Sequence, residues 1–216
     1  MINMSKIEKI KQYYEPNLGK GLPDFEVLGW ESKEAQYLRF EMLEKNVAIE
    51  NKKLLDVGCG LGNLLEYLRD KGIHFDYTGV DISSKMIEYA KKRNPESNFL
   101  CLDIFNDNTF APHTFDIIYT SGIFNLNLGN NYEFLITALK KFFHLSNSVV
   151  AFNLLHHKSP DRDDRYYYFS PEEIVEILEN FNCEFSDIQI IEGYLKNDFM
   201  VVCKKNHPLN TTGTTP

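Results

Sequence analysis

The stretch Leu54-Leu55-Asp56-Val57-Gly58-Cys59-Gly60-Leu61-Gly62-Asn63 decides how the rest of the chain reads. The apolar run Lys53–Val57 predicts a short buried strand, ended by Gly58. Leu61, Leu64, Leu65 and Leu68 then fall at i, i+3, i+4 and i+7, the spacing of one helical face, and Gly72 stops it. Glycines at such a strand-to-helix turn let a ligand approach the backbone and meet the positive end of the helix. Dinucleotide sites use a similar turn, but two residues argue against one here. The third glycine of G-x-G-x-x-G would fall at Asn63. Asp56 would also lie close to a pyrophosphate, and like charges about 4 Å apart cost on the order of 4 kcal/mol at an effective dielectric of 20. The same carboxylate suits a cationic ligand.

Strand and helix signals alternate outward from this turn. Residues 75–81 predict a second strand, followed by a helix capped at Ser83 or Ser84 that ends before Pro95. Residues 98–102 and 115–120 read as the third and fourth strands, 132–145 as a helix and 148–155 as a buried strand. Ser170-Pro171-Glu172-Glu173 combines a capping box with proline at the first helical position, so a helix starts there. Two late strands, 185–191 and 198–203, are joined by a turn containing Gly193. Too little chain separates them for a helical crossover, so they pair as an antiparallel hairpin. The expected fold is α/β: a doubly wound, mostly parallel seven-stranded sheet with an antiparallel C-terminal hairpin.

Composition narrows the class of protein. The 216 residues are 43% apolar and 25% charged, enough for one domain with a sizeable core. Uncharged spans such as 117–132 and 142–157 fall short of the roughly 20 apolar residues of a membrane helix. The opening MINMSKIEKIKQ lacks the apolar segment of a signal peptide, which leads us to expect a soluble cytoplasmic domain. Cys59, Cys101, Cys183 and Cys203 are widely separated, so neither a disulfide framework nor a zinc knuckle is expected. A net charge of −8 disfavours bulk attraction to nucleic acid.

The next two strands repeat the acidic device. Asp81 ends the second, where a carboxylate can accept both hydroxyls of a ribose, and Asp103 follows the third, within reach of an adenine amine. Parallel strands deliver Asp56, Asp81 and Asp103 to one carboxyl edge. The alternative is that each acid merely caps a helix, as strand-end aspartates often do.

Asp56-x-Gly58-x-Gly60-x-Gly62, then Gly79-Val80-Asp81, then Leu102-Asp103-Ile104 resemble the successive motifs of class I S-adenosylmethionine-dependent methyltransferases. The motif match covers about residues 53–125. The resemblance implies S-adenosylmethionine as cofactor, with Gly58, Gly60 and Gly62 supporting its methionine moiety and Asp81 its ribose. It also places Ile82 on adenine, Asp103 and Ile104 at the adenine edge and Ser121 near the methionine portion. In this superfamily an N-terminal segment commonly covers the cofactor, so residues 1–50 are expected to form a helical lid on a domain spanning 51–205, with 206–216 as a frayed tail. Ser32 can cap a helix whose Gln36 and Arg39 share a face, and an arginine at such a place can bind the cofactor carboxylate.

Tyr119-Thr120-Ser121-Gly122 departs from the Asn/Asp-Pro-Pro-aromatic signature of amino-methylating nucleic-acid enzymes. Acidic ligands of magnesium-dependent catechol-type enzymes are also missing, so no metal is expected, and His156, His157, Asp161, Asp163 and Asp164 read as a solvated loop. The expected activity is methyl transfer to an oxygen or nitrogen of a small-molecule acceptor. The alternatives are a nucleic-acid or protein methyltransferase and a non-catalytic cofactor-binding partner subunit. Segment 156–170 is long for a strand-to-helix connection. It supplies His156 and His157 as candidate general bases. The oligomeric state is left open.

Overall fold

The computed structural model describes residues 5–181 and 185–206. The tail expected over 206–216 lies outside them, Asn206 apart. β1 (Lys53–Val57) pairs in parallel with β2 (Asp76–Asp81) on one side and β4 (Phe115–Ser121) on the other. β3 (Asn98–Cys101) lies beyond β2 and β5 (Ser146–Leu155) beyond β4, both parallel. β7 (Asp198–Lys205) enters antiparallel between β5 and β6 (Phe185–Leu195), and the sheet order is β3-β2-β1-β4-β5-β7-β6. The expected mostly parallel sheet with an antiparallel hairpin is the observed one.

The two-residue period of the strands sorts the core into two layers. Leu55, Val57, Ile118, Val150, Phe152, Phe199 and Val201 face one side, covered by α6 (Asn131–Leu145) and α7 (Pro171–Glu179). Leu54, Ile117, Tyr119, Ala151, Met200 and Val202 face the other, covered by α3 (Lys33–Asn46), α4 (Asn63–Asp70) and α5 (Ser84–Arg93). Caps set the helix starts: Ser32 for α3, Ser83 for α5, and the Ser170–Glu173 capping box with Pro171 for α7. One expectation fails. The chain reverses at Lys196–Asn197, while Gly193 sits inside β6 where the register slips between Ile191 and Leu195. Its φ of +84° is what a bulge asks of a glycine.

The N-terminal residues run as α1 (Lys6–Tyr14), a 3₁₀ turn (Glu15–Asn17) and α2 (Asp24–Val27). Charged anchors fix them over the carboxyl ends of β1 and β2. Glu15 accepts from the Ser83 hydroxyl at 2.9 Å and pairs with Lys85 at 3.0 Å. Asp24 accepts from Asn63 Nδ2 at 2.6 Å and from Arg93.

A buried ion pair ties α3 to β7. Arg39 donates to Asp198 Oδ2 from Nε at 3.0 Å and Nη2 at 2.8 Å, and Nη1 donates to the Ala35 carbonyl at 2.7 Å. Asn153 Nδ2 and the Tyr194 hydroxyl also donate to Asp198. Removing one partner would strand the other charge in the core. Asp198→Ala is therefore expected to cost about 3–5 kcal/mol in urea unfolding. The double variant Arg39→Met/Asp198→Leu should recover a large part of that loss. Equal destabilisation by both would show that lost packing, not the orphaned charge, dominates.

Candidate active site

The carboxyl ends of β1, β2 and β4 open into a cleft floored by the sheet and roofed by Ile10, Tyr14, Leu28 and Trp30. Its place follows from topology, because helices leave in opposite senses where the strand order reverses beside β1. The glycine turn forms one wall. Gly58, Gly60 and Gly62 have φ of +75°, +53° and +82°, values that L side chains rarely adopt. A β-carbon on Gly58 would strike Ile123 at 2.3 Å, and one on Gly60 would strike Leu28 at 2.8 Å. Ile123 and Leu28 both line the cleft, so the turn is open to a ligand only without side chains.

Asp56 and Asp81 both line the cleft. Asp56 is buried and accepts from the Tyr77 hydroxyl at 2.8 Å. Burial pushes its carboxyl up to about 7, against the lowering effect of Tyr77, and the Asp81 charge adds to the rise. Asp81 accepts from the Gly60 N–H at 3.0 Å and the Ser83 N–H at 2.8 Å, and burial likewise raises its carboxyl while these donors oppose it. Each oxygen keeps a lone pair for a further donor.

The remaining expected residues divide. Gly58, Gly60, Ile82, Ile104 and Ser121 line the cleft with the two acids. Gly62 does not; it is the left-handed N-cap of α4, packed on the Phe99 ring. Asp103 also stays out of the lining, with its oxygens taken by the Phe105 N–H at 3.1 Å and Asn106 Nδ2 at 2.6 Å. It closes its own turn, and among the described residues no helix follows for it to cap. Arg39 is placed in the core by Asp198 and lies beneath the Trp30 ring, 4.3 Å from its centroid. Gln36, one turn earlier on α3, faces the cleft in its stead.

His156 and His157 correct the expectation of a base, since neither lines the cleft. β5 pairs with β7 on its far side, and the chain leaving β5 follows that hairpin, with the His156 N–H donating to the Asn197 carbonyl at 2.9 Å. His156 Nε2 meets Glu192 Oε1 at 2.8 Å and its Nδ1 accepts from the Lys158 N–H. The segment itself is held by backbone bonds to Asn125 and Asn127, and Tyr166 reaches Tyr13 of α1 at 2.5 Å. Tyr119 was missed, because a tyrosine in an apolar strand reads as core. Its hydroxyl and that of Ser121 are buried, face the same side of β4 and make no hydrogen bond among the described residues. Tyr77 gave no sequence signal either, since only the β1–β2 pairing brings it to Asp56.

Among the described residues no helix is long and apolar enough to cross a membrane. Residues 54–143 match the model of a family described as a methyltransferase domain. A malonyl-[acyl-carrier protein] O-methyltransferase of Acetivibrio thermocellus is 36% identical over 108 residues, covering 48% of this chain and 36% of that protein. A trans-aconitate 2-methyltransferase of Afipia carboxidovorans is 25% identical over 139 residues, 60% of this chain and 50% of that protein. The chain thus spans half or less of these curated relatives. In fold it is similar to magnesium protoporphyrin IX methyltransferase from Synechocystis PCC 6803, crystallised with bound SAH, at a TM-score of 0.64 and 13% identity over 92% of this chain and 95% of that one. The acid-flanked glycine turn, the strand order and the methyltransferase-domain match over residues 54–143 agree, and together they support membership of the class I S-adenosylmethionine-dependent methyltransferase superfamily.

Proposed function

We propose that the protein binds S-adenosylmethionine in this cleft and transfers its methyl group to an oxygen or nitrogen of a small-molecule acceptor. The observation that carries this reading is the pair of carboxylates, Asp56 and Asp81, on a glycine turn beneath an apolar roof. The site fits the cofactor chemically. Two acids and no glycine at position 63 oppose a pyrophosphate, while an ammonium near a sulfonium suits Asp56 and a ribose diol suits Asp81. Bound there, S-adenosylmethionine supplies a methyl group on a sulfonium whose sulfur departs as a neutral thioether.

The chain's part is to bind, orient and exclude water. Asp81, held by two backbone N–H groups, receives the ribose hydroxyls without having to reorganise. Asp56 faces the ammonium end, Ile82 and Ile104 flank the adenine, and Ser121 lies by the methionine portion. Trp30, Leu28 and Tyr14 close the cleft so that the transfer is shielded from water. With no histidine at the cleft among the described residues, catalysis rests on positioning rather than on the imidazole base expected from sequence. The small-molecule acceptor is supported by the net charge of −8 and by the apolar lining, and by relatives named for small acceptors.

Calorimetry tests the reading. Wild-type protein is expected to bind S-adenosylmethionine, and Asp81→Ala to lose roughly 1.5–3 kcal/mol of binding, the scale of hydrogen bonds to a charged group. Wild-type affinity within threefold of that of Asp81→Ala would remove the acid from the site. Asp56 also sets a pH dependence. Its carboxyl titrates at about 7, so the charge that attracts the cofactor cation is present above that pH and lost below it. Affinity for S-adenosylmethionine should rise between about pH 6 and 8, and Asp56→Asn should flatten that rise. An unchanged slope in the variant would assign the titration to another group.

A further inference from the structure

One side chain at the glycine turn is satisfied at only one of its two polar atoms. Asn63, the first residue of α4, is 5% exposed and lines the cleft. Its Nδ2 donates at 2.6 Å to Oδ2 of Asp24, the first residue of α2. That oxygen also receives Arg93, so it is an acceptor, and the Asn63 amide is oriented by it. The nitrogen faces the N-terminal cover, which leaves Oδ1 for the other side. Oδ1 is buried and makes no hydrogen bond among the described residues. Buried carbonyl oxygens are ordinarily paired, so an orphan on the wall of a cleft points to a donor that the ligand brings.

Asn63 also stands where the cover meets the turn. Leu28, one turn after Asp24, leans on the glycines: a β-carbon on Gly60 would lie 2.8 Å from its Cδ2. Arg93 of α5 joins Asp24 to Glu66 of α4, so α2, α4 and α5 meet at one carboxylate. The second anchor of the cover is Glu15, on Ser83 and Lys85. Between the two anchors runs Gly19-Lys20-Gly21, with Lys20 exposed and φ of +76° and +72° at the glycines. The amide of Asn63 is planar, so a ligand that takes Oδ1 also fixes the torsion at which Nδ2 meets Asp24.

Resting on the methyltransferase reading above, we propose that Asn63 couples cofactor binding to closure of the cover. Its Oδ1 accepts an N–H or O–H of S-adenosylmethionine, and its Nδ2, so oriented, latches α2 through Asp24. The cofactor offers such donors on its ammonium, its ribose and its adenine amine.

The test uses the full chain and S-adenosylhomocysteine, which keeps all three donors. Affinity is read by calorimetry, and closure by the rate at which trypsin cuts the Lys20–Gly21 bond, followed by mass spectrometry. In the wild type, saturating S-adenosylhomocysteine is expected to slow that cut at least about tenfold, because proteolysis needs a locally opened segment. Asn63→Leu should bind about tenfold more weakly, the scale of one lost hydrogen bond, and should stay open to trypsin even at saturation. Asp24→Ala, at the partly exposed end of the link, should lose protection too, and it reports even if Asn63→Leu does not fold. An asparagine that only supports α4 would leave protection complete once the site is filled. That result in both variants would overturn the coupling. So would an Asn63→Leu affinity within about threefold of the wild type, or a wild type that saturating ligand does not protect. If the wild type fails to bind S-adenosylhomocysteine at all, it is the methyltransferase reading that falls.

Discussion

The Asp81 carboxylate is the fastening on which the site depends. It ends β2 and accepts from the N–H of Gly60 on the β1 turn and from that of Ser83 at the start of α5. One buried acid thus fixes the spacing of two strand ends and the mouth of the glycine turn before any ligand arrives. The N-terminal cover is fastened at the same point, because Ser83 also donates to Glu15. Charge-assisted hydrogen bonds of this kind are among the stronger local restraints available to a backbone. A ligand that takes the acid's remaining lone pairs meets a site already arranged.

The helix α3 carries both stability and site. Its Arg39 reaches the core pair with Asp198, 159 residues away in sequence, and its Gln36 reaches the cleft. Trp30 bridges the two, resting on the guanidinium beneath and covering Gly122, where a β-carbon would come within 2.9 Å of the ring. The wall of the cleft is therefore only as firm as the ion pair behind it. Neutralising Arg39 in this way also leaves the cleft with two acids and a net negative lining.

The strands and the two acids were legible in the sequence because they are local. A period of two, a strand end and a glycine with positive φ each leave their mark within a few residues. The capping box at Ser170 and the Ser83 cap were legible for the same reason. Arg39, His156 and Asp103 were not. Arginine and histidine are assigned by their partners, and Asp198 and Glu192 lie 159 and 36 residues away. Asp103 is the reverse case, a residue whose local turn claims it before any ligand can. Tyr119 and Gln36 hid behind patterns that suit a buried strand and a helix face equally well.

Trp30 is the single tryptophan of the chain and it lines the cleft, so its fluorescence reports directly on what enters. Titration with S-adenosylhomocysteine should give a saturable change in Trp30 emission that NAD does not reproduce. A saturable response to NAD, with none to S-adenosylhomocysteine, would contradict the assignment of the cleft to an S-adenosyl nucleoside.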